Sequence, residues 1–229
     1  MKKVIFCAGA LLCGATMMAQ SNFGLSTQVG TENEVTVSQT GTLNASLVGQ
    51  DGVKNETTVT QVGFASAALV TQDGRRNSAD VNQAMGPLNL AIVDQDGRRN
   101  EADVDQIGVL NVASVSQDGR RNSSTQFQLG AGNLAVDSQT GRRNDADTYQ
   151  LGFLNQSYVT QDGRRNSALA VQTGIGNMSN VNQSGMDHRA LTVQTGTGNM
   201  SGITQTGDAH LAVSLQAGSG NMATYTQSN

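Results

Sequence analysis

The chain has no Trp, a single Pro and only 3% aromatic residues. About a fifth of its 229 residues are Leu, Ile, Val or Phe, close to the level of disordered proteins, so one large apolar interior is excluded. Charge is scarce as well. With 14% charged residues and a formal net charge of -4, the chain lacks the self-repulsion that keeps polar sequences unfolded. A composition rich in Gly, Asn, Gln, Ser and Thr has one route to order left, which is repetition.

Cysteine is missing after residue 20. Cys7 and Cys13 both lie in the opening segment, where Lys2 and Lys3 precede an apolar stretch over residues 4–12 and small residues lead to Ala19 and Gln20. This pattern predicts a secretory signal peptide over residues 1–20, its apolar part too short to span a bilayer comfortably. Residues 21–229 read as a single domain with no thiol for a disulfide, a metal site or a nucleophile. Without Lys2 and Lys3 the balance is 12 basic to 18 acidic residues, which disfavours a strongly basic nucleic-acid binder.

What is abundant is periodic. Gln recurs at Gln28, Gln39, Gln50, Gln61, Gln72 and Gln83, then at Gln95, Gln106, Gln117, Gln128, Gln139, Gln150, Gln161, Gln172, Gln183, Gln194, Gln205, Gln216 and Gln227. The spacing is 11 with one step of 12, and the extra residue falls in Ala84-Met85-Gly86-Pro87, which holds the only Pro. A Gly follows two residues after almost every Gln. Five residues after most of them comes an Asn: Asn33, Asn44, Asn55, Asn77, Asn89, Asn100, Asn111, Asn122, Asn133, Asn144, Asn155, Asn166, Asn177, Asn199 and Asn221. A helical supercoil of period 11 is rejected, because a Gly in each unit costs about 1 kcal/mol in a helix and no Leu-rich seam recovers it.

Within a unit, Asn, a small residue, Val and the next Gln are spaced by two, the strand period, and share one face. The intervening x-Gly-x-x reads as a tight turn. A second period of 22 alternates Gln-Asp-Gly-Arg-Arg-Asn turns with plainer ones such as Gln106-Ile-Gly-Val-Leu-Asn111. The prediction is an all-β fold: a β-solenoid of about nine and a half 22-residue coils, each with two strands and two tight turns, forming two facing parallel sheets of cross-β, amyloid-like character roughly 45 Å tall. Ala or Ser fills the small column, and Val or Ile the next column in most units. Gln and Asn then form amide ladders from coil to coil in place of an apolar core. Gln126, Asp137 and Thr148 interrupt the Val column. An inward carboxylate at Asp137 is costly unless Gln126 pairs with it or the strand flips.

The unit resembles the repeat of the curlin family, the subunits of curli functional amyloid. The resemblance is carried by Asn166-Ser-Ala-Leu-Ala-Val-Gln172-Thr-Gly-Ile-Gly-Asn177, Gln194-Thr-Gly-Thr-Gly-Asn199 and Gln216-Ala-Gly-Ser-Gly-Asn221. It implies a major or minor fibre subunit, exported through an outer-membrane curli channel with periplasmic escort factors. On the cell surface such a subunit polymerises with itself and a companion curlin subunit into a biofilm matrix fibre for adhesion and cell aggregation.

Two side-chain columns invite a site. Arg75, Arg76, Arg98, Arg99, Arg120, Arg121, Arg142, Arg143, Arg164 and Arg165 stack on one edge. They read either as gatekeepers on a solvated edge, offset by Asp73, Asp96, Asp118 and Asp162, or as a ladder for extracellular DNA or acidic polysaccharide. His188 and His210 replace Asn in one column and read as substituted amides, since a metal would need further ligands. No cofactor is expected. Catalysis is not expected either, because no turn exceeds the standard length by more than one residue and no wall exists for a cleft. The alternative to a fibre subunit is a monomeric or capped solenoid adhesin, which needs polar caps that the first and last repeats lack.

Overall fold

A computed structural model of the chain describes residues 21–229; the expected signal peptide at 1–20, with both cysteines, lies outside the described residues. The described residues form nineteen strands. They are β1 (Phe23–Thr31), β2 (Glu34–Thr42), β3 (Ala45–Val53), β4 (Glu56–Phe64), β5 (Ala67–Arg75), β6 (Ser78–Ala84), β7 (Leu90–Arg98), β8 (Glu101–Val109), β9 (Val112–Arg120) and β10 (Ser123–Ala131). Then follow β11 (Leu134–Arg142), β12 (Asp145–Phe153), β13 (Gln156–Arg164), β14 (Ser167–Ile175), β15 (Met178–Met186), β16 (Arg189–Thr197), β17 (Met200–Asp208), β18 (Leu211–Ser219) and β19 (Met222–Ser228). Odd strands make one ten-stranded sheet and even strands a nine-stranded sheet, every pair parallel. The solenoid expected from the period is the fold observed.

Register is set by the repeat. In β9 and β11, Gln117 faces Gln139, Gly119 faces Gly141 and Arg120 faces Arg142, so a slip by one residue would turn every Gln outward. Side chains alternate in burial along the strands between the end coils: Ala113, Val115 and Gln117 are buried, whereas Ser116 and Asp118 are exposed. Two apolar clusters result, one from Val48 to Val115 and one from Ala146 to Ile203 and Ala212. Each buried Val contributes about 1.5–3 kcal/mol of transfer free energy, so the Val columns carry much of the hydrophobic stabilisation in this thin interior.

The corners are tighter than x-Gly-x-x suggests. Strand pairing runs through Gln, the next residue, Gly and one residue more, so β3 ends at Val53 rather than at Gln50. The chain then turns through a single left-handed residue, such as Lys54 at φ 59°, Arg99 at φ 59° or Leu110 at φ 58°. The Gly of each corner is fixed by a different constraint. At Gly119 (φ 119°), a Cβ would overlap the carbonyl oxygen of Gly141 one coil on. Where the extra residue enters, Met85 and Leu88 both take positive φ, and the Gln83 to Gln106 hydrogen bond of 2.8 Å carries the stack across the irregularity.

Candidate functional site

Every Gln of the period lines the interior, and along each sheet the amide Nε2 donates to Oε1 of the Gln one coil further on, at 2.7–3.0 Å. The donor direction never reverses. The second amide hydrogen reaches across the interior to the first residue of the preceding strand, as in Gln106 to Leu90 O at 3.0 Å and Gln128 to Val112 O at 2.9 Å. The buried amides of these periodic Gln residues are thereby satisfied without water.

The Asn column divides its bonds differently from a simple amide ladder. Asn Oδ1 accepts the backbone N–H of the Asn one coil on, as Asn77 Oδ1 does from Asn100 N at 3.0 Å. Its Nδ2 closes the corner on the carbonyl four residues back and on the Gly carbonyl of the next coil, seen at Asn100 with Asp96 O (2.8 Å) and Gly119 O (3.4 Å). Direct side-chain bonds between Asn residues occur only from Asn111 through Asn133, Asn155, Asn177 and Asn199 to Asn221, at 2.9–3.2 Å. The column breaks at Ser66, whose N–H still takes Asn44 Oδ1 at 3.1 Å.

Asp137 is fully buried between the two apolar clusters, and the strand does not flip to expose it. Ser124 Oγ donates to it at 2.8 Å and Thr148 Oγ1 at 3.3 Å; Thr148 is the inward neighbour expected from the column, and Ser124 a donor that residue spacing alone did not single out. Burial pushes its carboxyl up to about 7, against the hydrogen bonds from Ser124 and Thr148 and the nearby Gln126 amide, which act to lower it. Gln126 spends its Nε2 on Ser114 O at 3.0 Å and leaves Oε1 without a partner.

The ten arginines occupy the corners between odd and even strands in five successive coils. Their backbones stack by hydrogen bonds, with Arg121 N on Arg98 O at 3.0 Å. The acids expected to offset them do not reach them. Among the described residues the ion pairs are Lys54 with Glu32 (2.9 Å) and Arg165 with Asp187 (2.6 Å), and none involves Asp73, Asp96, Asp118 or Asp162. The acids of the even-strand outer face crowd one another instead. Burial and then the neighbouring Asp105 raise Asp80; burial followed by Asp105, Asp80 and Glu101 raises Asp103; burial and Asp147 raise Asp145.

Two facing parallel sheets, wound from coils whose interior is zipped by unidirectional glutamine bonds, define a β-solenoid repeat protein with a structural architecture. The curlin associated repeat matches residues 30–63, 54–84, 97–125, 141–174 and 159–185, together more than half of the chain. The chain belongs to the curlin repeat family. The curated proteins contain no match to it.

Proposed function

We propose that this chain is a secreted curli-type subunit that polymerises end to end into an extracellular amyloid fibre of a biofilm matrix. The observation that carries this reading is the polarity of the glutamine columns. At one end Gln28 and Gln39 donate inward, so their Oε1 atoms have no donor among the described residues. At the other end Gln216 and Gln227 bond Met200 O and Leu211 O and keep one amide hydrogen to give. A second copy stacked head to tail matches donor to acceptor and continues both backbone ladders, whereas a head-to-head contact mismatches the ladder. Because β1 and β19 both belong to the ten-stranded sheet, unbroken alternation across a junction turns each copy by half a coil relative to the last.

Export through an outer-membrane channel, escort factors and a companion curlin subunit come with the same reading. Fibre diffraction tests the assembly itself: reflections near 4.7–4.8 Å and about 10 Å are expected from oriented samples. A chain that stays monomeric and soluble at high concentration would favour the adhesin and overturn the fibre reading.

A further inference from the structure

We propose that the arginine edge binds a linear polycarboxylate polysaccharide of the uronate class. The left-handed corner column on this edge reads, coil by coil, Glu32, Lys54, then arginine from Arg76 to Arg165, then Asp187. Compensation is placed at its two ends, where Glu32 holds Lys54 and Asp187 holds Arg165. The coils between are left bare. Among the described residues no carboxylate lies within ion-pair distance of any arginine from Arg75 to Arg143. Arg98 Nε and Arg120 Nε, one coil apart in the same register, are shielded from solvent with no acceptor. Guanidinium groups in a row without carboxylate partners, exposed at Arg75, Arg76, Arg142 and Arg143, describe an edge complementary to a row of acceptors.

The local field agrees. Arg98 and Arg99 are held below the usual guanidinium range by shielding first and by neighbouring arginines next, and Arg142 by Arg143 first. In a chain of net charge -4, this edge is therefore a confined cationic stripe.

Spacing selects the ligand. Successive arginine pairs repeat along a straight line at the strand spacing, about 4.8 Å. A uronate chain is an extended ribbon with one carboxylate on each sugar ring, a ring advances by nearly that distance, and in a two-fold ribbon every second carboxylate faces the edge, one for every two coils. The guanidinium fork takes a carboxylate bidentately. A DNA duplex instead winds its phosphates away from a straight edge, at about 1.7 Å of axis per charge. Single-stranded nucleic acid would need aromatic platforms, and no corner of this edge holds Phe, Tyr or Trp.

The site lies within one chain, so it is tested on soluble and on assembled full-length protein, and failure to polymerise leaves the test intact. The probe is fluorescent oligogalacturonate, with a neutral glucan and a single-stranded oligonucleotide as comparators. Saturable binding that weakens steeply with NaCl is expected for the uronate, and R98Q/R120Q should weaken it about tenfold or more. R98K/R120K, which keeps charge but loses the fork, should fall between. Asp96→Asn with Asp118→Asn should tighten binding, a gain that misfolding cannot produce. Unchanged binding in R98Q/R120Q, no tightening in D96N/D118N, or an oligonucleotide that binds more tightly than the uronate would each overturn the proposal.

Discussion

His210 stacks on His188 with ring centroids 5.2 Å apart and planes 3° from parallel, and its backbone N–H donates to His188 Nδ1 at 3.2 Å. That bond fixes the tautomer: Nδ1 is the acceptor, so Nε2 carries the hydrogen that meets Ser184 O at 3.1 Å. The imidazole thus does with two nitrogens what Asn166 does with its oxygen and nitrogen, accepting His188 N at 3.1 Å and donating to Asp162 O at 3.3 Å. His188→Asn should leave stability within about 0.5 kcal/mol of the parent. His188→Leu should cost roughly 1–3 kcal/mol, since the N–H of His210 and the carbonyl of Ser184 lose their partner. Denaturant midpoints of the two variants check this, and a tolerated Leu would remove the Asn-mimic account.

Asp137 makes stability depend on pH. Its folded carboxyl, at about 7, lies above the ordinary value of 3.8, so the folded state holds the proton more tightly than the unfolded one. The contribution is therefore fully present below about pH 4, declines as pH rises and is lost above about pH 7, a span on the order of 4 kcal/mol. Asp80, Asp103 and Asp145 are raised too and act in the same direction. Asp137→Asn should be near neutral at pH 4 and clearly stabilising at pH 8. Equilibrium unfolding across that range measures it, and parallel pH profiles for parent and variant would refute the assignment.

The glutamine columns should be unforgiving. Replacing Gln106 and Gln128 with Leu strands the Nε2 hydrogen of Gln83, the Oε1 of Gln150 and the carbonyls of Leu90 and Val112. Each orphaned buried group costs about 1–3 kcal/mol, so assembly should slow or fibres weaken markedly. Ala at the outward-facing Ser114 and Ser116 should change little, because the bond from Gln126 uses the backbone carbonyl of Ser114. Similar losses from both pairs would mean that the strand faces are reversed.

Two glycines of the same motif should behave differently. Gly119→Ala places a Cβ on the Gly141 carbonyl and should block folding of that coil. Gly176 sits at φ 64° in open space, where a Cβ would meet nothing within 4 Å, and Leu154 holds the equivalent corner one coil earlier. Gly176→Ala should cost only about 1 kcal/mol. Soluble yield and thermal midpoints separate the two; equal damage would show that corner strain, not backbone contact, demands glycine at the first position.

How much of this was legible follows from what the period encodes. Gln at every eleventh residue and inward positions spaced by two specify strands, faces and register by themselves, because a one-residue slip would expose Gln117 and bury Asp118. The division of bonds at Asn100 was not legible. Whether its amide meets another amide or only backbone groups is encoded neither by the period nor by the corner φ, since Leu154 at φ 56° precedes an Asn that bonds the Asn side chain one coil back and Arg99 at φ 59° precedes one that does not; Arg99 also breaks the expectation that such a corner holds Gly. The ion pairing of the arginine edge was also hidden, since Asp96 and Arg98 sit in one turn by sequence, and only the corner geometry keeps them unpaired.

Fibre formation should be led by the C-terminal coils and restrained by the central ones. After Asn166 the paired arginines cease, the corners after the even strands become Gly-x-Gly at Gly174-Gly176, Gly196-Gly198 and Gly218-Gly220, and the outer face of the even sheet turns apolar through Leu169, Leu191, Val213 and Leu215. Low charge and high β-propensity without Pro favour cross-β nucleation. In the central coils an incoming strand must instead bring Arg120 and Arg121 against arginines of the adjacent coils, with no carboxylate in reach, and must hold Arg121 at φ 58°, a left-handed conformation that Gly176 takes at φ 64° at the other corner of the C-terminal segment without a Cβ penalty. A peptide of residues 166–194 should therefore form thioflavin-positive fibres after a shorter lag than one of residues 100–128 at equal concentration and physiological salt. Within the central peptide, Arg120→Thr removes charge alone and Arg121→Gly removes both charge and strain, so the second should shorten the lag more. High salt should narrow the gap between parent and Arg120→Thr by screening the repulsion, while leaving the part of the Arg121→Gly advantage that comes from backbone conformation. If the central peptide nucleates first, or neither substitution shortens its lag, the arginines do not act as gatekeepers.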